Sequence, residues 1–339
     1  MHLTRETLLK LAQDTVTDRV RKDRHLLAAY LCGSLLDDDH LLGGTTDIDL
    51  FFVHLDSPAV GREIVRLTDD IHLDLAHLDQ KEYRQARQLR VHPWRGPSLN
   101  NSRVLYDPQH FMDFTVASVR GQFNRTDHIY ERASQPAANA RRIWFSLQEN
   151  PSQPGPEILL QYLRAVSHAA NAIAALSGPP LTERRFLLGF PARAAAVGKP
   201  GLYPGLLGLL GASRLEPGQL AAWIGLWQAA LEAISPAQGA SLNHIPARLN
   251  ACRRTYYLRA FEALLDSPQP ENALWPLLHT WCMAAALLPE DSPTYQDWQA
   301  AFTHLDLAGA GFAERLSALD AYLDLVEEIL EGWARQNGV

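Results

Sequence analysis

The chain has 339 residues, enough for two domains of ordinary size, and 47% of them are apolar, a globular rather than a disordered composition. Its formal net charge of −7, with acids and bases mixed along the chain, argues against a protein that coats nucleic acid, which would need a basic stripe. The three scattered cysteines, Cys32, Cys252 and Cys282, make no CxxC pair, which excludes a disulfide framework or a thiolate zinc site and points to a reducing cytoplasm.

The opening residues, Met1-His2-Leu3-Thr4-Arg5-Glu6, lack the apolar run of a signal peptide. Residues 2 to 22 carry Leu8, Leu11, Val16 and Val20 among charges at helical spacing. Leu26 to Cys32 is a short apolar run ending at Gly33, a buried-strand pattern, and Asp47 to His54 is a second. Ser57-Pro58 has the form of a helix start, with the proline near the first turn, and the expected helix runs through Leu67. Ile71 to His77 alternates with period two, as a half-buried strand does, and Arg103 to Tyr106 is a fourth strand closed by Asp107-Pro108.

Beyond residue 108 the strand signals stop. Helix-length amphipathic segments follow, among them Ile158 to Leu176, Gly218 to Ile234 and Phe312 to Ala334. They are separated by Pro/Gly-rich breaks at Asn150 to Pro156, Gly178 to Pro180, Gly198 to Gly205, Asp266 to Pro270 and Pro289 to Pro293. The longest apolar stretch, Gly201 to Ala212, is broken by Pro204 and falls short of the ~20 residues of a membrane span, so a soluble protein without a membrane partner is expected. The expected fold class is an α/β N-terminal domain, a small mixed sheet with flanking helices over residues 1–108, plus an all-α helical domain over residues 109–339.

Chemistry concentrates in the first part. In Asp47-Ile48-Asp49-Leu50 a strand puts both aspartates on one face, about 6–7 Å apart along the backbone, and turns Ile48 and Leu50 toward a covering helix. In Ile71-His72-Leu73-Asp74-Leu75 the same alternation sets Asp74 beside His72, and pairing of the two strands brings three carboxylates together. Clustered carboxylates repel one another, and a divalent ion is the usual compensation; an all-oxygen donor set selects Mg²⁺ or Mn²⁺. Such ions suit in-line displacement at phosphorus. Upstream, Gly33 at a strand end permits close approach of a ligand, and Ser34 adds a hydroxyl.

The order Gly33-Ser34, then Thr46-Asp47-Ile48-Asp49-Leu50, then Leu73-Asp74-Leu75 resembles the signature of the polymerase-beta-like nucleotidyltransferase superfamily over residues 26 to 76. The helical remainder resembles, in layout only, the second domain of small-molecule nucleotidyltransferases such as the aminoglycoside-modifying enzymes. The resemblance implies an N-terminal nucleotidyltransferase domain that transfers a nucleoside monophosphate from an NTP, with ATP the expected nucleotide, to a hydroxyl-type acceptor. It implies metal and catalytic roles for Asp47, Asp49 and Asp74, and nucleotide contacts from Gly33, Ser34 and Thr46. Family members often carry a basic residue soon after the Gly-Ser turn, but here the loop holds Asp37-Asp38-Asp39 and no lysine or arginine. Replacement cations are sought at Lys81, Arg84, Arg87 and Arg90, read as one helix, and in the helical domain at Arg164, Arg184 and Arg185, with Thr182 as a helix N-cap. A small-molecule or protein acceptor is favoured over RNA by the missing basic surface. The acidic loop favours a rival, a noncatalytic nucleotide-sensing or antitoxin-like binding protein that retains the fold.

Overall fold

The computed structural model describes residues 4–37, 40–149, 154–234 and 246–339. Asp38 and Asp39 of the acidic loop, and most of the break expected at Asn150 to Pro156, lie outside them. Two compact units divide between His128 and Ile129.

The first unit opens with helix α1 (Arg5–Lys22), capped by the Thr4 hydroxyl, which accepts from the Thr7 amide. Strands β1 (Leu26–Cys32), β2 (Thr46–His54), β3 (Arg62–Arg66) and β4 (Ile71–Asp79) follow, then short helices α2 (Ala86–Val91) and α3 (Arg95–Asn100), strand β5 (Arg103–Tyr106) and helix α4 (Phe111–Arg120). The sheet order is β3-β4-β2-β1-β5, with β2 and β4 parallel and the other neighbours antiparallel. Alternation along the strands makes two cores. Ile48, Leu50, Leu73 and Leu75 pack with Leu8, Ala12 and Val16 of α1. Ala28, Tyr30 and Val53 pack on the other face with Leu89, Leu99, Met112, Val116 and Val119.

Three expectations change. Ser57 to Leu67 is not a helix: residues 55–61 are irregular and Arg62–Arg66 is an edge strand on β4. Ile64 and Val65 are β-branched, and pairing outweighs the helix-start signal of Pro58. The basic run is not one helix either. A 3-10 turn (Gln80–Tyr83), started by the Asp79 carboxylate on the Lys81 amide at 2.8 Å, is separated from α2. Arg90 then bonds the Ser118 carbonyl and hydroxyl, at 3.0 and 2.9 Å. The first unit also runs past residue 108, because α4 covers the sheet face opposite α1.

In the second unit, all the longer elements among the described residues are helices. They are α5 (Thr126–Glu149, which begins just before the division), α6 (Pro156–Ala175), α7 (Phe186–Ala196), α8 (Leu202–Leu209), α9 (Gln219–Ala233), α10 (Arg254–Leu265), α11 (Leu274–Ala285), α12 (Pro293–His304) and α13 (Phe312–Asn337). Helix α8 starts inside the break expected at Gly198 to Gly205, with Pro204 in its first turn, where a missing N–H costs nothing. Helix α6 is buried along most of its length, and Arg141 of α5 ties Asp320, Asp324 and Glu327 of α13 together. Among the described residues no helix is long and apolar enough to cross a membrane.

Candidate functional site

In the parallel register Asp47 sits opposite His72 and Asp49 opposite Asp74, so the acids of both strands share the α2–α4 face of the sheet. Carboxylate oxygens of Asp47, Asp49 and Asp74 all lie within 4.8 Å of one another, close enough for one cation to bridge them. Asp74 is buried at 3% exposure, whereas Asp47 and Asp49 are half-buried.

Arg62, on the edge strand, donates its Nε and Nη2 to the two oxygens of Asp74, each at 2.6 Å. The fork gives the buried carboxylate a charge partner. Reading residues 57 to 67 as a helix hid this arginine; the β-branched pair Ile64-Val65 within Arg62-Glu63-Ile64-Val65-Arg66 was the strand signal in the sequence. Cys32 was also missed. It is the register partner of Asp49, and burial, with Asp49, Asp74 and Asp47 nearby, pushes its thiol well up.

Gly33 follows Cys32 with φ 83° and ψ −168°, a conformation essentially reserved for glycine. A Cβ there would lie 2.0 Å from Asp49 Oδ2, so the turn runs directly against the acid. Ser34 begins a 3-10 turn whose later carbonyls, on Leu35 and Leu36, accept from Arg5 of α1 at 3.1 and 2.6 Å. Upstream of β2, Gly43 and Gly44 both have positive φ and close a tight hairpin between Leu42 and Thr45. Thr46 is fully buried, and alternation places it with Ile48 and Leu50 on the α1 face rather than with the aspartates; its hydroxyl bonds the Asp47 carbonyl at 3.2 Å. Asp47, Asp49 and Asp74 therefore come together against the Gly33 turn, which Ser34 continues, and Thr46 contributes to the strand start.

Arg184 and Arg185 belong to the second unit. Arg184 is buried, lies 3.3 Å over the Tyr256 ring and donates to the Tyr256 carbonyl at 2.9 Å. Arg185 is half-buried in the same 3-10 turn. Thr182 makes no side-chain cap bond there. Arg164 is exposed one turn from His168, where burial, with Arg164 and Arg142 nearby, pushes the imidazole down to about 4. The ionic centre of this region is Glu183. Burial opposes its ionisation, but Arg248, Arg253 and the Tyr257 hydroxyl at 2.7 Å prevail, holding it at about 2. A carboxylate lowered from 4.5 contributes stability that is complete above its unfolded value and vanishes as pH falls through about 2. Wild type and Glu183→Gln should thus differ by roughly 3 kcal/mol in urea unfolding at pH 7 and converge on acidification. A constant gap down to pH 3 would show that Glu183 is not the coupled group.

The second unit also holds an apolar groove of about 740 Å³ lined by Leu207, Leu215, Leu220 and Leu265, with Glu216 and Glu271 as its charged lining residues. No protein-family model and no curated protein matches the chain.

Proposed function

We propose that the protein is a metal-dependent nucleotidyltransferase that moves a nucleoside monophosphate from an NTP, ATP first among them, to a hydroxyl of a small-molecule or protein acceptor. The observation that carries this reading is the convergence of Asp47, Asp49 and Asp74 beside the glycine turn that touches Asp49. Three hard oxygen donors fit Mg²⁺ or Mn²⁺. When bound, the ion would neutralise phosphate charge and make the acceptor hydroxyl a better nucleophile. The protein's own residues do the positioning. Gly33 keeps the turn free of a side chain where the phosphates approach, and Ser34 offers a hydroxyl to them. Asp47 and Asp49 would hold the metal from one strand, and Asp74, locked by Arg62, from the next. The acceptor oxygen attacks the α-phosphorus, the bond to the β-phosphate oxygen breaks, pyrophosphate departs and the hydroxyl proton is released.

A noncatalytic sensor is the second reading, favoured by the bidentate Arg62, which already balances one of the three acids. Pyrophosphate release, measured with each NTP, Mg²⁺ and a panel of aminocyclitol, nucleoside and protein hydroxyl acceptors, separates the two. Stoichiometric acceptor labelling from α-³²P-NTP is the expected result. Nucleotide binding with no release on any acceptor selects the sensor, and absence of both removes the nucleotide reading.

A further inference from the structure

Arg5 opens helix α1 directly after the Thr4 cap, where the helix macrodipole is positive and a cation is disfavoured. Its own helix does not favour this residue. The half-buried side chain crosses instead to the turn that follows β1. There Nε donates to the Leu35 carbonyl at 3.1 Å and Nη2 to the Leu36 carbonyl at 2.6 Å. The two donors lie along one edge of a planar guanidinium, a fork that lysine does not possess.

The turn needs such a partner. Ser34–Leu36 is a single 3-10 turn, closed by the Leu36 amide on the Gly33 carbonyl at 3.1 Å and the Asp37 amide on the Ser34 carbonyl at 2.9 Å. So few bonds do not offset the entropy of fixing the residues, and side chains must hold the turn in place. Carbonyls at the end of a helical turn have no later amide to accept from, and Arg5 supplies the donors. Leu35, fully buried with Leu8 and Ala12 of α1, anchors the same turn from its side chain. Apolar packing is non-directional and sets how deep the turn sits, whereas the directional fork sets its rotation about that anchor. At the start of the turn Gly33 runs so close to Asp49 that a Cβ would fall 2.0 Å from Oδ2. Rotation of the turn therefore moves Gly33 and Ser34 against the acids.

We propose that Arg5 is a positioning residue of the candidate site, acting through the Gly33–Ser34 turn to set where the phosphates of an NTP meet the three acids. The inference rests on the nucleotidyltransferase reading. Arg5 grips the Leu35 and Leu36 carbonyls, past Ser34 in the chain, so its effect is carried by the turn and not by a contact of its own with substrate. The acidic loop that follows brings no lysine or arginine, which leaves more of the nucleotide's placement to the turn itself. Loss of the fork should weaken nucleotide binding while Asp47, Asp49 and Asp74, on β2 and β4, keep their affinity for the ion.

The test compares Arg5→Met, Arg5→Lys and wild type in the full chain. Hydrogen exchange of the peptide spanning Ser34 to Asp37 should quicken by at least about tenfold in Arg5→Met, with β2 and β4 protected as in wild type. Calorimetry with an α,β-methylene ATP analogue and Mg²⁺ should show affinity reduced by about tenfold, whereas Mn²⁺ alone should bind within about twofold of wild type. In turnover the loss should fall on KM more than on kcat. Arg5→Lys keeps the charge without the fork, so it should recover only part of either loss. Where wild type binds the analogue, any of three results overturns the proposal: unchanged exchange in Arg5→Met, faster exchange with unmoved affinity, or full recovery in Arg5→Lys. Failure of the nucleotidyltransferase reading looks different. Wild type itself then binds no nucleotide, and Arg5 loses the positioning role whatever the exchange shows.

Discussion

Asp49→Asn is expected to abolish Mg²⁺-dependent pyrophosphate release, by at least about a thousandfold, or ~4 kcal/mol of transition-state stabilisation, while the protein melts no lower than wild type. The amide keeps the shape of the side chain but loses one acceptor oxygen and the charge. With three carboxylates within 4.8 Å, removing one charge relieves repulsion, so the substitution should be neutral or slightly stabilising. Asp74→Asn supplies an internal contrast. Its carboxylate is buried and holds Arg62 by two bonds of 2.6 Å, so neutralising it costs stability as well as activity. Enzyme assays and thermal melts on the two variants should therefore separate: activity lost alone in Asp49→Asn, activity and stability lost together in Asp74→Asn. Turnover that survives Asp49→Asn would remove that residue from the metal site and the carboxylate mechanism with it.

What could be read in advance follows the reach of each physical rule. Strand alternation acts within a segment, so the shared face of Asp47 and Asp49, and the opposite face of Ile48 and Leu50, were legible in residue order. The same rule carried Asp74 and His72. It gives no neighbour, and the parallel register that sets Asp49 opposite Asp74 is a tertiary fact. Arg62 lay beyond reach for a related reason: Ser57-Pro58 satisfied a local helix-start rule, and only pairing with β4 shows the segment to be an edge strand. Lys81, Arg84, Arg87 and Arg90 were spaced for a helix, but the Asp79 cap and the interruption before α2 divide them. The extent of the first unit depended on α4, whose amphipathic pattern does not say which apolar surface it will cover; Met112, Val116 and Val119 chose the sheet.

Gly33→Ala should be nearly as damaging to catalysis as Asp49→Asn, and by a different physical route. A β-carbon at this position would stand 2.0 Å from Asp49 Oδ2, 3.0 Å from its Cγ and 3.3 Å from its Cβ, so the aspartate must swing out of the cluster or the turn must move. The backbone adds its own penalty, because φ 83° with ψ −168° costs an alanine on the order of 1–3 kcal/mol. These contributions separate in a double-mutant cycle measured by urea unfolding. Truncation in Asp49→Ala removes the oxygens and Cγ, so adding Gly33→Ala to it should cost little beyond the backbone share. The shortfall from additivity should fall in the range of about 0.5–3 kcal/mol typical of residues in contact. Strict additivity would mean that turn and acid are not pressed together. The contact between Gly33 and Asp49 would then lose its place in the proposed phosphate site, whatever the fate of the metal ligands.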